Sequence, residues 1–224
     1  MNNDVSQVAS TTNIAATILK LVLEQWQPIF AIAQKTISYL TRERPTGLFE
    51  VLEYDSTLEL LDTKGEKAIF HRRQKVRFLQ DHVIAFQDHV WGDGNVIAKY
   101  QVSPGVVVDK YKEGNRWNIL ISLRESRNKG DIDEFLIERT ARGSFLADEE
   151  WFQAEVGMTT RHLRLAVIFP KQRPCRRAVL VQRSKNRAVE LDRHYQSLPD
   201  GRQMVVWEQS YPRRTEIFTL KWEW

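Results

Sequence analysis

Hydrophobic positions near the start of the chain recur with the spacing of one helix face. Apolar side chains follow each other at intervals of three and four residues between positions 14 and 40, which is the period of an amphipathic α-helix. Pro28 lies inside this segment and lacks the amide donor that a continuous helix needs. The pattern predicts a disordered polar tail at residues 1–10, then a kinked amphipathic helix and linker over residues 11–44.

After Gly47 the pattern changes to the period of β-strands. Runs of β-branched and aromatic residues alternate with turns that contain Gly or Pro. The predicted strands are residues 48–61, 67–79, 83–90, 96–102, 116–123, 135–140, 162–169, 178–182, 203–208 and 215–222. No segment with the length of a crossover helix separates them, so antiparallel pairing is expected. We therefore predict a mainly β fold for residues 45–224: an antiparallel β-sandwich or open barrel of about ten strands.

Two of these strands show which face is buried. Large apolar residues occupy every second position from Leu163 to Phe169, so one face of that strand is predicted to be core. The last strand alternates in the same way and carries Trp222 and Trp224. A Trp-rich strand is expected to pair inside a sheet, so removing the last six residues should destabilise the domain strongly.

Composition narrows the class of protein. The chain has 224 residues, 42% of them hydrophobic, and can bury a core. Its single cysteine, Cys175, excludes an intramolecular disulfide and fits a reducing compartment, so we predict a cytoplasmic protein. The first residues lack the basic stretch of a signal peptide. Lys20, Glu24 and Pro28 interrupt the first apolar run, which argues against a transmembrane helix.

The small net charge of +4 hides an uneven distribution. Residues 161–214 contain 13 Lys or Arg and 4 acidic residues. The predicted anion-binding residues are the densest part of this segment: Arg173, Arg176, Arg177, Arg183, Lys185 and Arg187. A basic run at residues 71–77 could extend the site, and Trp207 and Tyr211 could stack on nucleic-acid bases. The alternative is that the acid-rich residues 131–155 neutralise the segment.

The helical segment has an apolar surface that is wider than one contact face requires. Residues predicted to dock a partner protein or a second copy of the chain are Ile14, Ile18, Leu21, Val22, Trp26, Ile29, Phe30 and Ile37. The same surface could instead pack on the chain's own β domain or lie in a membrane interface. The segment carries few basic residues, so attraction to anionic lipid would be weak and membrane association is disfavoured.

Enzyme-like features are sparse. Asp81, His82, Asp88, His89 and Asp93 could serve a metal ion or acid–base chemistry, but seven residues along a strand put the two histidines on opposite faces. Cys175 has arginine neighbours that would lower the pKa of its thiol. No phosphate-binding glycine loop, nucleophile elbow, HExxH or EF-hand motif is present. We therefore assign no catalytic residue, metal ligand or cofactor.

These observations favour a non-enzymatic interaction or regulatory module. In this interpretation the helix docks a partner protein or drives assembly, and the basic C-terminal half contacts an anionic partner. The alternatives are a nucleic-acid-binding β domain, a small metal-dependent enzyme that uses residues 81–93, and peripheral membrane association through the helix.

Overall fold

The computed structural model describes residues 47–224. The predicted tail and the predicted amphipathic helix lie outside the described residues, so both, and the division of the chain at residue 45, stay predictions. Over residues 47–224, no helix is long and apolar enough to cross a membrane. The cytoplasmic location stays a prediction.

The described part of the chain consists of β-strands and one 3₁₀ turn, Arg183–Lys185. The strands are β1 (Phe49–Leu60), β2 (Lys67–Phe78), β3 (Val83–Trp91), β4 (Asn95–Ser103), β5 (Val106–Glu113), β6 (Arg116–Arg127), β7 (Ile132–Arg142), β8 (Glu149–Glu155), β9 (His162–Phe169), β10 (Arg177–Gln182), β11 (Arg187–Glu190), β12 (Tyr195–Ser197), β13 (Gln203–Ser210) and β14 (Ile217–Glu223). The mainly β prediction is confirmed, but about ten strands was too few.

The strands form three sheets. The seven-stranded sheet has the order β12-β13-β9-β1-β2-β7-β4, the four-stranded sheet β11-β10-β14-β8, and the three-stranded sheet β3-β6-β5. Neighbouring strands pair antiparallel except β1 and β9, which are parallel. The expectation of antiparallel pairing is wrong for that pair, because the chain returns to β1 by way of other strands and not through a helix.

The two alternating strands bury the faces that their sequences indicate. Leu163 and the apolar residues at every second position up to Phe169 are at most 2% exposed. On β14, Phe218, Leu220 and Trp222 are buried to the same degree. Because β14 lies between β10 and β8, the prediction that the last strand pairs inside a sheet is confirmed.

Two hydrophobic cores lie on one face of the seven-stranded sheet. β2 contributes to both cores. Its residues Val76 and Phe78 belong to the first core, and Phe70 belongs to the second. These residues are separated by even numbers of positions along a strand without a bulge, so their side chains lie on the same face. The first core is covered by the three-stranded sheet, and its buried residues all lie between Phe49 and Ile137. The second core is covered by the four-stranded sheet and includes most buried apolar residues of β8, β9, β10, β13 and β14.

A polar seam of Arg72, Asp88, Tyr100 and Arg139 lies where the two cores meet. The Arg72 guanidinium and the Tyr100 hydroxyl each approach a different oxygen of Asp88, both at 2.7 Å. The Arg139 guanidinium lies 3.3 Å from the centre of the Phe70 ring and donates to a backbone carbonyl. One carboxylate therefore lies among two guanidinium groups.

The charges of the seam depend on each other. Burial alone would raise the pKa of Asp88, but the charge of Arg72 and the hydrogen bond from Tyr100 outweigh it, so this pKa lies below its ordinary value. Burial lowers the pKa of Arg139 to about 9, against the attraction of Asp88. Both arginines thus remain cations at neutral pH, and Asp88 is the counter-charge on which they depend.

Candidate anion-binding surface

The structure divides the six arginine and lysine residues of the predicted anion site into two groups of three. In the first group, Arg173 forms an ion pair with Asp148 at 2.7 Å and lies over the ring of Trp224. Arg176 donates to the carbonyl oxygen of the same tryptophan. Arg177 is paired with Glu190 and Glu223. These three cations are therefore held by the domain's own groups.

The acid-rich residues 131–155 neutralise little of the basic segment. Of that stretch, Asp148 pairs with Arg173, whereas Asp133, Glu134 and Glu155 pair with arginines of other strands. Neutralisation by the acid-rich residues, the alternative raised from the sequence, therefore applies to Arg173. The acidic partners of Arg177 lie on β11 and β14 instead.

The basic run at residues 71–77 does not extend the site. It lies on β2 of the seven-stranded sheet, whereas β10 and β11 belong to the four-stranded sheet. Arg73 is paired with Glu53 and Glu134, and Arg77 with Glu50. Arg72 points the other way, into the polar seam. On the face of the sheet that points away from the two cores, its open face, Arg73 and Arg77 are thus both engaged in ion pairs.

The second group of three is exposed at one end of the four-stranded sheet. Arg183 and Lys185 lie on the 3₁₀ turn that follows β10, and Arg187 begins β11. All three side chains are exposed. Within residues 47–224, none of the three forms an ion pair with an acidic side chain. These cations are available to a partner.

A buried carboxylate fixes a second basic loop beside this turn. Both Glu216 side-chain oxygens accept from Ser184: one from its backbone N–H at 3.0 Å and the other from its hydroxyl. The Glu216 backbone N–H donates to the carbonyl of Arg213 at 3.2 Å. These contacts of Glu216, called the Glu216 clamp below, connect residues 183–187 to residues 211–215. The second segment carries the exposed Arg213 and Arg214. The basic surface is defined here as Arg183, Lys185, Arg187, Arg213 and Arg214.

The Glu216 clamp is ionised. Burial alone would raise the pKa of this carboxyl. The two hydrogen bonds from Ser184 and the charge of Lys185 outweigh that effect, so the pKa lies below its ordinary value. Glu216 is 2% exposed and its two oxygens bind Ser184, so its charge offsets part of that of Lys185 but is not presented to the solvent. The net charge of the surface remains strongly positive.

The two aromatic residues considered for stacking differ in accessibility. Trp207 is 8% exposed and packs against Phe218 in the second core, so the expectation that it could stack on a base is wrong. Tyr211 is 74% exposed and lies in the same loop as Arg213. An exposed aromatic ring therefore adjoins the basic surface.

The sequence pattern does not predict a role for Arg213, Arg214 or Glu216. A signal for the arginines was present, since two adjacent cations follow Tyr211-Pro212 in a turn between strands. No local signal marks Glu216, because its role depends on Ser184, which is 32 residues away in the chain.

The Asp81–Asp93 residues do not converge. Asp81 binds a backbone amide in a loop, and His89 contacts Asn118 at 2.8 Å. Asp88 points into the polar seam, and Asp93 is exposed in a turn. In the described residues, no three His, Cys, Asp or Glu side chains are grouped to hold a metal ion. This segment therefore offers no assembled site.

Cys175 is packed in the second core. Its thiol is 6% exposed and donates to the carbonyl of Arg177 at 3.2 Å. Burial raises the pKa of the thiol to about 11. The neighbouring cations do not reverse this, because Arg173 and Arg176 are directed to Asp148 and to the Trp224 carbonyl. The expected lowering of the thiol pKa is therefore wrong.

Alkylation of Cys175 is expected to be slow in the folded protein. At neutral pH, a thiol with so high a pKa has on the order of a hundredfold less thiolate than a free cysteine. Iodoacetamide labelling, followed by mass spectrometry, should show at least that deficit and should reach the free-thiol rate in urea. A native rate equal to that of a free thiol would contradict the packing described here.

Comparison with known proteins identifies no family. No protein-family model and no curated protein matches the chain. An M1 zinc metallopeptidase from Deinococcus radiodurans is similar in structure, with 10% identity and a TM-score of 0.47 over 77% of this chain and 42% of that one. A candidate protease from Parabacteroides distasonis has 10% identity and a TM-score of 0.46 over 80% and 41%. This chain thus spans less than half the length of either, and likeness at this level carries no functional argument.

Proposed function

We propose that the β domain is a non-enzymatic interaction module that binds a polyanionic partner through the basic surface. The observation that carries the proposal is the placement of five exposed cations on two loops joined by Glu216. None of the five forms an ion pair within residues 47–224. The docking role of the N-terminal helix rests on the sequence alone and stays a prediction.

The contrast with the rest of the domain supports this proposal. Elsewhere, several exposed arginines are paired with carboxylates, as Arg73 and Arg77 are. Like charges held close together repel each other, so a cluster of unpaired cations lowers stability unless a partner supplies the counter-charge. A polyanion that binds such a surface releases its own condensed counterions, and this release favours binding.

Neutralising the basic surface is expected to weaken binding to heparin, a generic polyanion. The double substitution Arg213→Gln/Arg214→Gln should lower the salt concentration that elutes the full chain from immobilised heparin. In direct titrations it should also reduce the slope of log K against log salt by roughly 1–2, because up to two anion contacts are lost. Adding Arg187→Gln should shift both values further in the same direction.

The matched control removes the same charge elsewhere. Lys110 and Lys112 are exposed on β5, in a different sheet, and Lys110→Gln/Lys112→Gln should leave elution close to that of the wild type. Equal shifts for the two double variants would mean that only net charge matters, and the proposal would fall. Failure of the wild-type chain to bind heparin at low salt would also overturn it.

A further inference from the structure

The structure assigns a more specific partner to the basic surface: a single-stranded nucleic acid whose bases stack on Tyr211. This inference rests on the proposed function, since it uses the same cations for the phosphates. It adds one chemical requirement: the ligand must carry a flat aromatic group. Sulfated sugars and acidic side chains do not meet it.

The first support is the way the domain presents the Tyr211 ring. The Tyr211 N–H donates to the carbonyl of Arg161 at 2.7 Å, and the next residue, Pro212, is buried. The backbone at Tyr211 has a φ of 49°, the left-handed region, which is uncommon for an aromatic residue. The loop is thus anchored on both sides of a side chain that remains 74% exposed. Within residues 47–224, this large ring therefore lies mainly in water and belongs to neither core.

The second support is the chemistry around the ring. Arg213 is two residues away, so its Cα is at most about 8 Å from that of Tyr211. An arginine this close along the chain has a side chain long enough to reach a phosphate that flanks a base stacked on the ring. Sulfated sugars and acidic peptides would engage the cations but need no tyrosine.

A single strand fits this arrangement better than a duplex. In a duplex the faces of the bases are stacked on each other, so an exposed ring meets only the sugar–phosphate backbone. In a single strand the faces are accessible, and stacking on an aromatic residue is tolerant of sequence because every base has such a face. The described domain also presents the ring on a loop between strands and not within a groove.

The test uses the full chain and two fluorescent probes of equal length and charge. One is an oligothymidylate of about 10 nucleotides, within the site-size range of small single-strand-binding domains. The other is the matching abasic deoxyribose-phosphate oligomer. Tyr211→Ala is expected to weaken binding to oligothymidylate by about tenfold, the typical loss of one stacked base, and to leave binding to the abasic probe unchanged. Tyr211→Trp should keep the preference for oligothymidylate.

The control is Tyr111→Ala, which removes another exposed tyrosine, on β5, and should change neither affinity. Wild-type binding that is equally tight for both probes would overturn the stacking inference and leave the polyanion proposal intact. Preference for a duplex of the same sequence, or equal losses for both probes in Tyr211→Ala, would overturn it as well. Binding to neither probe at low salt, together with no retention on heparin, would overturn both.

Discussion

Replacing Asp88 by alanine is expected to lower the free energy of unfolding by about 3–5 kcal/mol, because it removes the counter-charge of buried cations. Arg72 would lose an ion pair of 2.7 Å, and Tyr100 would lose the acceptor of its hydroxyl. Arg139 would lose the nearby negative charge that stabilises the charged form of its guanidinium against burial. Within residues 47–224, Nε of Arg72 already lacks a hydrogen-bond partner, and this side chain would keep only its long contact of 3.5 Å with the Tyr54 hydroxyl.

Urea denaturation of the purified full chain measures this effect. The matched control is Glu134→Ala, which breaks an ion pair with Arg73 on the open face of the sheet. Both partners there are about two-fifths exposed, so the expected loss is below about 1 kcal/mol. Equal losses for the two variants would contradict the central role given to the seam.

The pH dependence of Asp88→Asn separates the lost charge from lost packing. In the wild type the folded-state pKa of Asp88 is depressed, so its contribution is present above the unfolded value of about 3.9 and disappears as the pH falls through the folded value. The stability difference between wild type and variant should therefore be largest near neutral pH and shrink in acid. A difference that is constant with pH would indicate a purely steric effect.

Deletion of the last six residues is expected to abolish cooperative folding of the domain. The deletion removes most of β14, which pairs with β10 on one side and β8 on the other. It also removes Trp222 and Trp224, which are among the largest fully buried side chains of the domain. Truncating one such residue typically costs about 3–5 kcal/mol, and a whole domain is stable by only about 5–15 kcal/mol.

Thermal denaturation followed by near-ultraviolet circular dichroism provides the readout. Trp222→Ala alone should lower the midpoint strongly, whereas Trp151→Ala, on the same sheet but 38% exposed, should lower it less. Trp222→Phe keeps a ring in the core and removes an indole N–H that has no hydrogen-bond partner within residues 47–224, so it should be the mildest change at this position. A truncated chain with an unchanged midpoint would refute this account of β14.

The strands that the sequence revealed are those with one buried face. β9 matched its predicted bounds, because each inward residue is apolar and each turn is marked by Pro or Gly. β5 and β8 were missed for a physical reason. Most of β5 is exposed on both faces, so it has no alternation to detect. β8 carries Glu149, Glu150 and Glu155 and was interpreted as an acidic run, although Phe152 and Ala154 point into the core.

The candidate site was predictable in composition but not in geometry. The charge count put Arg183, Lys185 and Arg187 in a basic segment, and their role in binding an anion stays a prediction. The count could not separate them from Arg173 and Arg177, whose partners come from elements distant in sequence. Trp207 illustrates the same limit, since burial depends on which face of β13 meets the second core.

The parallel pairing of β1 with β9 has a consequence for how the chain folds. All buried residues of the first core lie between Phe49 and Ile137, so that core can form before β9 has been synthesised. Until β9 arrives, one edge of β1 offers unpaired backbone groups to any other strand in the cell. β1 carries Glu53, Asp55 and Glu59 on its open face, and charges on an edge strand discourage pairing between copies. The acidic side chains that bind arginines in the finished sheet are therefore also expected to discourage pairing between nascent chains.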